Sequence, residues 1–298
     1  MRPEQLAEFE KLAPQLGSAA EHLRSLSSGS AFVGVISAAD VQYLCQQTGW
    51  SPTALALFLV NFAQLYAVVP VSNYHVGAVA IGASGAFYYG ANYEFAGAAL
   101  SFTLHAEQSA ISNAWINDEL WATTLAISAP PCGYCRQFLY ELNKADQLMI
   151  ALPGQSPLLL TSYLPDPFGP GDLGMPGRLL QPQQNGLTQG VPPLPYGQTL
   201  FNHADVSYAQ YTKSYAAVAV ATSDWVSFGR LAENAAYNPS LSPLEMALSQ
   251  LALANRQVTD IVSVALVQAD GPGSQVSATE AALACVAPHI QLQVYPAS

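Results

Sequence analysis

Four reactive side chains stand close together in this chain: His105 and Glu107 in LHAEQSAISNAW, and Cys132 and Cys135 in APPCGYCRQFLYEL. One imidazole and two thiolates form a good donor set for zinc, and three protein ligands leave a fourth tetrahedral position for water. Residues two apart on a helix are separated by about 200°, so His105 and Glu107 share no face along its length. At a helix N-terminus, however, both reach one point at the end of the axis. Cys132 and Cys135, one turn apart at the start of a following helix, obey the same geometry. Backbone N–H groups and the positive end of the dipole there favour thiolate. The spacing predicts two helix N-termini converging on one metal, with Glu107 beside it as a base and not a ligand.

Each element alone has a plainer explanation. A lone Cys-x-x-Cys serves as a redox pair or as part of a structural zinc site. A lone histidine on an apolar helix is usually a satisfied core residue. A structural zinc site would want a fourth Cys or His, yet Cys45 and Cys285 are remote in sequence and His75 stands alone. Glu107 would have no task there. It is the pairing of the two motifs that points to a catalytic zinc.

Regular elements must carry these residues. Apolar residues at three- and four-residue spacing predict helices over 3–27 and about 38–67, with Ser51 or Thr53 as a cap and Pro52 in the first turn. The apolar run ALALFLV, 54–60, is too short to span a bilayer and reads as a buried helix. VGAVAIGASGAFYYGAN, 76–92, has the turn and flanks of a β-hairpin. A helix through HAEQSAISNAW, a strand over 122–128, a helix from about Gly133 and a strand over 148–152 complete an α/β layer, parallel in its second half. Ten of the 21 prolines then fall in 153–195, the mark of a long connection with little regular structure.

A second α/β pattern follows, and it echoes the first. AAVAVATSDWVSFGRLAENAA, 216–236, repeats the strand, turn, strand and Gly-x-x-x-Glu ending of GAVAIGASGAFYYGANYEFAG, 77–97, with Glu233 in the place of Glu94. Setting Gly90 against Gly229 puts Leu244 and Met246 opposite His105 and Glu107, and no Cys-x-x-Cys follows. The second copy is expected to keep its core without a metal site. The implied organisation is an N-terminal helical region (1–50), a catalytic domain (51–152), a Pro/Gly-rich linker contributing to the site (153–197) and a degenerate domain (198–298).

Composition narrows the partners. The 298 residues are 51% apolar and only 10% charged, with a formal net charge of −11. That field repels polyanions, so nucleic acid is excluded and a small, uncharged or cationic ligand is expected. Four cysteines in so long a chain form no disulfide framework, which favours a reducing, cytoplasmic setting. The N-terminal MRPEQLAEFEKL is charged and amphipathic and does not read as a signal sequence. No membrane association is expected.

The paired motifs resemble those of the zinc-dependent nucleoside and nucleobase deaminases, which share an H-x-E…P-C-x-x-C signature. Within that group the chain is similar to the long, two-domain, dimeric cytidine deaminases of bacteria. The likeness is carried by VSNYHVGA (71–78), GANYEF (90–95), HAEQSAISNAW (105–115), PCGYCRQFLYEL (131–142) and YLPDPFGPGDL (163–173), and runs from about residue 50 to the end. It implies a three-layer α/β/α domain with a mixed sheet, duplicated, behind a small helical region. It further implies one Zn2+ per chain on His105, Cys132 and Cys135, with Glu107 as proton shuttle. Asn92 and Glu94 would hold the ribose 3′-hydroxyl, and Ala106 would offer backbone contacts to the base. Tyr74 stands where the family usually has phenylalanine against the pyrimidine, and Ala129 where it often has tyrosine. Phe168 would reach the neighbouring subunit's site in a homodimer. The implied reaction is hydrolytic deamination of cytidine and 2′-deoxycytidine, in pyrimidine salvage. A deaminase for another base and a structural-zinc interaction protein are the alternatives from the residues alone. Only nine Lys plus Arg argue against a polynucleotide-editing enzyme.

Overall fold

The computed structural model describes residues 1–298. The first part of the chain forms α1 (Pro3–Leu12), α2 (Ala20–Ser28), β1 (Val35–Ile36), α3 (Ala38–Thr48) and α4 (Pro52–Ala63). The helix expected over 3–27 is broken: Ala13–Ala19 is a 3-10 segment in which Gly17 takes φ 54°. Ser37 and Ser51 cap α3 and α4 by accepting from the N–H groups of Asp40 and Ala54, both at 3.2 Å. Ser51, with Pro52 directly behind it, is the cap that begins α4. Leu55, Ala56, Leu59 and Val60 of the apolar run are buried, and no helix of the chain is long and apolar enough to cross a membrane.

The hairpin, helix and strands follow as the pattern requires: β2 (Gly77–Gly82), β3 (Phe87–Ala91), α5 (Ala106–Ile116), β4 (Ala122–Ile127), α6 (Gly133–Tyr140) and β5 (Met149–Ala151). β2 is antiparallel to β3 and β4, and β4 is parallel to β5, so the sheet is mixed. α6 makes the crossover that a parallel pair demands. The Pro-rich connection contains more structure than expected: β6 (Leu158–Leu159) pairs with β5, and α7 (Leu160–Tyr163) follows. The N-terminal region is likewise not purely helical. β1 joins the edge of the same sheet against β3, and Phe9, Leu16, Leu44 and Leu59 share one core with Val79, Phe87 and Tyr89.

The second half contains α8 (Gly197–Asp205), β7 (Ala216–Thr222), β8 (Val226–Arg230), α9 (Pro243–Leu253), β9 (Ile261–Ala269), α10 (Val276–Val286) and β10 (Leu292–Ala297). The strand order β3-β2-β4-β5 of the first sheet is matched by β8-β7-β9-β10 of the second, with the same directions. Even the register shift at Ile81/Gly82 recurs at Ala221/Thr222. The duplication is therefore structural. Both faces of each sheet are covered, which explains strands that read as continuous apolar runs. Ala78 and Ala80 face one core and Val79 and Ile81 the other. The first of these cores is common to both halves and joins residues of α5 and α6 to residues of β7, α9 and α10.

Structure corrects the alignment of the copies by two residues. Tyr93 bridges Leu104 in the first copy, and Ala232 bridges Leu241 in the second, so the segment before α9 is two residues shorter. His105 caps α5 and Ser242 caps α9; each backbone N–H donates to the side chain three residues on, Gln108 and Glu245, at 3.2 Å. Ser242 and Leu244, not Leu244 and Met246, thus stand in the places of His105 and Glu107. Neither binds metal in the manner of an imidazole.

Gly90 fixes how α5 lies on the sheet. A Cβ there would come within 2.1 Å of the Ala110 backbone nitrogen and 2.4 Å of the Ala106 carbonyl oxygen. Those atoms belong to backbone and cannot rotate away. Gly90→Ala is expected to destabilise the protein by at least about 2 kcal/mol, at the upper side of ordinary overpacking. Thermal denaturation checks it, and a midpoint within error of wild type would contradict this close approach.

Candidate active site

His105 caps the start of α5 and Cys132 the start of α6, so the two helix N-termini meet as the spacing required. The Cys132 Sγ lies 3.6 Å from His105 Nδ1 and 3.6 Å from Cys135 Sγ. All three donor atoms fall within 4.8 Å of one another, and they form the single group of three or more such side chains in the chain. Bond lengths of 2.0–2.3 Å to a tetrahedral zinc would separate ligand atoms by about 3.5–3.8 Å. Geometry and donor chemistry both fit that ion.

The protons tell the same story. Hydrogen bonds from Cys135 and then His105 lower the Cys132 thiol to about 3. The bond to Cys132, followed by burial, pushes Cys135 far up. Two neighbouring thiols share what is effectively one negative charge. A divalent cation at their centre would let both be thiolates, since a coordinated thiol is deprotonated outright.

Glu107 is buried one residue into α5, and burial raises its pKa from 4.5, against the lowering influence of its own backbone N–H and of His105. Beside this cluster opens a cavity of about 480 Å³, whose walls include His105, Ala106, Glu107, Cys132 and Ala129. Tyr74, Asn92 and Glu94 line it from the far side. Phe168 does not: it is 46% exposed, and only its carbonyl is engaged, accepting from Gln137 Nε2 at 2.7 Å. Seven of the nine expected site residues therefore line one cavity within a single chain, and Cys135 lies behind it with its Sγ 3.6 Å from that of Cys132.

The substrate-side residues have partners of their own. Asn92 Oδ1 accepts from the Val76 N–H at 2.9 Å, and its Nδ2 donates to the Tyr74 carbonyl at 3.0 Å. Glu94 accepts from the N–H groups of Val71 and Ser72 at 2.9 and 3.0 Å and from the Ser72 hydroxyl. Burial raises the Glu94 pKa, but these donors outweigh it and the net shift is downward. Glu233 repeats the arrangement with Tyr211, Thr212 and the Thr212 hydroxyl. Both copies thus use this glutamate to clasp the loop before the hairpin, and in the first copy that loop presents Tyr74. Sequence reasoning missed Tyr134, whose ring stacks on His105 with centroids 5.3 Å apart. Its place inside the Cys-x-x-Cys was the available signal.

Comparison with known proteins agrees with this geometry. The family described as the cytidine and deoxycytidylate deaminase zinc-binding region matches twice, over residues 56–151 and 160–282. A cytidine deaminase of Shewanella amazonensis is 44% identical over 262 residues, which is 87% of this chain and 88% of that one. One from Photobacterium profundum is 40% identical over 288 residues, 95% of this chain and 97% of its own. Among solved structures, the cytidine deaminase of Mycobacterium tuberculosis covers 39% of this chain and 96% of its own length, at 30% identity and a TM-score of 0.36. The two family matches and the curated relatives, at 40–44% identity over most of both chains, leave one conclusion: the chain belongs to the cytidine deaminase family, with two deaminase-like domains of which the first carries a His-Cys-Cys group able to hold a metal.

Proposed function

We propose that this protein hydrolyses the exocyclic amino group of cytidine and 2′-deoxycytidine, giving the uridines and ammonia in pyrimidine salvage. The carrying observation is the His105, Cys132 and Cys135 cluster with buried Glu107 beside it at one cavity. His105, Cys132 and Cys135 would hold the zinc, which when bound supplies the Lewis acidity that makes water nucleophilic near neutral pH. Glu107 takes a proton from that water and hands it to N3 of the base, which makes C4 electrophilic. It then takes the second proton from the added oxygen and passes it to the departing amine, so that ammonia leaves and Glu107 is restored. The Ala106 backbone meets the base, and Tyr74 covers its face. Asn92 and Glu94 serve the ribose 3′-hydroxyl with their remaining acceptor and donor capacity. Uncharged nucleosides meet no penalty from the acidic surface.

The same reading takes residues 51–152 as the catalytic domain, 198–298 as its silent copy, and a homodimer in the cytoplasm as the working unit. Exposed Tyr74, Leu100, Phe168 and Tyr237 support the dimer, being apolar surface that a second copy would cover. Phe168, exposed and not part of its own chain's cavity wall, would then complete the partner's.

Three experiments test this. Purified protein should carry one zinc per chain; Cys132→Ala should lose metal and turnover together, whereas Glu107→Ala should keep the metal and lose at least about 10³-fold in kcat. A Glu107→Ala enzyme within tenfold of wild type would end the proposed shuttle. Cytidine should surpass 3′-deoxycytidine by about 1–3 kcal/mol in kcat/KM, the cost of unpaired buried polar groups. Equal values would assign Asn92 and Glu94 to the loop clasp alone. Finally, a heterodimer of Phe168→Ala and Glu107→Ala chains should show one near-normal site if Phe168 acts across the dimer. It should show the raised KM of the Phe168→Ala homodimer if Phe168 acts within its own chain.

A further inference from the structure

Glu141 is a charged residue with no exposed surface, placed directly after the last residue of α6. Its carboxylate accepts from the hydroxyls of Tyr208 and Tyr211 and, on the other oxygen, from the Ala235 N–H at 3.0 Å. All three donors belong to the second copy. One turn earlier the grip repeats: Asn234 Nδ2 donates to the Gln137 carbonyl at 3.1 Å, and Gln137 Nε2 donates back to Asn234 Oδ1 at 3.3 Å. The other metal-bearing helix is held in the same manner. Arg230, 6% exposed, donates from Nη1 to the Trp115 carbonyl in the last turn of α5 at 3.2 Å.

α5 and α6 carry His105, Cys132 and Cys135 at their N-terminal ends. The second copy holds α6 at its C-terminal end and α5 at both ends, since Gln108 Nε2 also donates to the Pro239 carbonyl at 3.4 Å and Ser109 meets Ser249 at 2.7 Å. We propose that the silent domain is the frame that positions the first domain's metal ligands, with Glu141 the main positioning residue. The inference rests on the reading of His105, Cys132 and Cys135 as zinc ligands.

Lever arithmetic explains why this matters. An eight-residue helix is about 12 Å long, so a tilt of about 10° about one end moves the other by roughly 2 Å. Metal ligands tolerate displacements of only about 0.2 Å. Holding the far end is thus as consequential as packing the near one. Cohesion between the domains would not by itself call for a carboxylate, because well-packed apolar side chains fill a buried site as stably as an ionic group. A carboxylate with three directed donors specifies one orientation of the helix end, and apolar packing specifies it less sharply.

The test uses the full-length zinc protein and its cobalt-substituted form. Glu141→Gln keeps the volume but turns an amide toward a donor, and Tyr211→Phe removes a single hydroxyl. Val267→Ala is the control, since Val267 lies in the separate core beneath α8 and away from both metal-bearing helices. Below the unfolding range, Glu141→Gln and Tyr211→Phe should release zinc to a chelator about tenfold faster than wild type. The cobalt visible bands should shift, and kcat should fall with KM little changed. Val267→Ala, at equal or greater loss of thermal midpoint, should release zinc at the wild-type rate. Val267→Ala releasing zinc as fast as Glu141→Gln would overturn the proposal, as would unaltered release and cobalt spectra in both clamp variants. If Glu141→Gln does not fold, Tyr211→Phe decides the matter alone. Wild-type protein without bound zinc would instead sink the functional reading beneath it.

Discussion

Backbone meets backbone where α5 crosses β3, and the rest of the site depends on that approach. Gly90 leaves no side chain between strand and helix, so α5 sinks until the Ser109 hydroxyl accepts the Ala91 N–H at 3.1 Å. Asn113 then donates from Nδ2 to the carbonyls of Tyr89 and Gly34, both at 3.1 Å. A helix buried over every residue from Ala106 to Trp115 needs such partners for its polar groups, because each one left unpaired costs about 1–3 kcal/mol. Once α5 has this depth and rotation, its first turn delivers His105 and Glu107 to the edge of the sheet. α6, crossing over between parallel strands, brings the two thiols to the same edge. The metal cluster is where two constrained helices begin, and its geometry follows from the constraint.

Much of this was legible before any coordinates. Residue types at i, i+2 and i, i+3 specify little along a helix but a great deal at its start, so His105, Glu107, Cys132 and Cys135 could be brought together on paper. The hairpin announced itself through Gly-Ala-Ser-Gly and its flanks. What could not be read depends on contacts between distant segments. Nothing in GANYEF says that Asn92 and Glu94 spend hydrogen bonds on residues 71–76, because that follows from how the preceding loop folds back over the strand end. The two-residue slip between the copies was equally hidden, since matching Gly90 to Gly229 is right for the strands and wrong for the helices. β1 and β6, two residues each, are too short to leave a periodic signal and exist because an edge was available.

The division into domains is clearer along the chain than inside the molecule. A single core takes residues from both halves, with Ile111 and Phe138 of one and Leu248 and Leu266 of the other in the same cluster. Across this boundary run polar contacts too, among them Ser109 to Ser249 at 2.7 Å. Neither half presents a finished surface to the other, so separating them would expose apolar area that each was built to share. The duplicated chain is better seen as two sheets folded about common helices than as two independent modules in series.

The shorter path from Ala232 to Leu241 has a consequence for anyone redesigning the second copy. In the first copy the corresponding stretch sets the height at which His105 enters its helix; in the second it is two residues shorter and the helix opens on serine and proline. Building an equivalent cluster there would take an imidazole, a carboxylate and two thiols, together with two further residues of backbone to present them. No single exchange of a side chain supplies that set, so the backbone would have to be lengthened before any ligand was grafted.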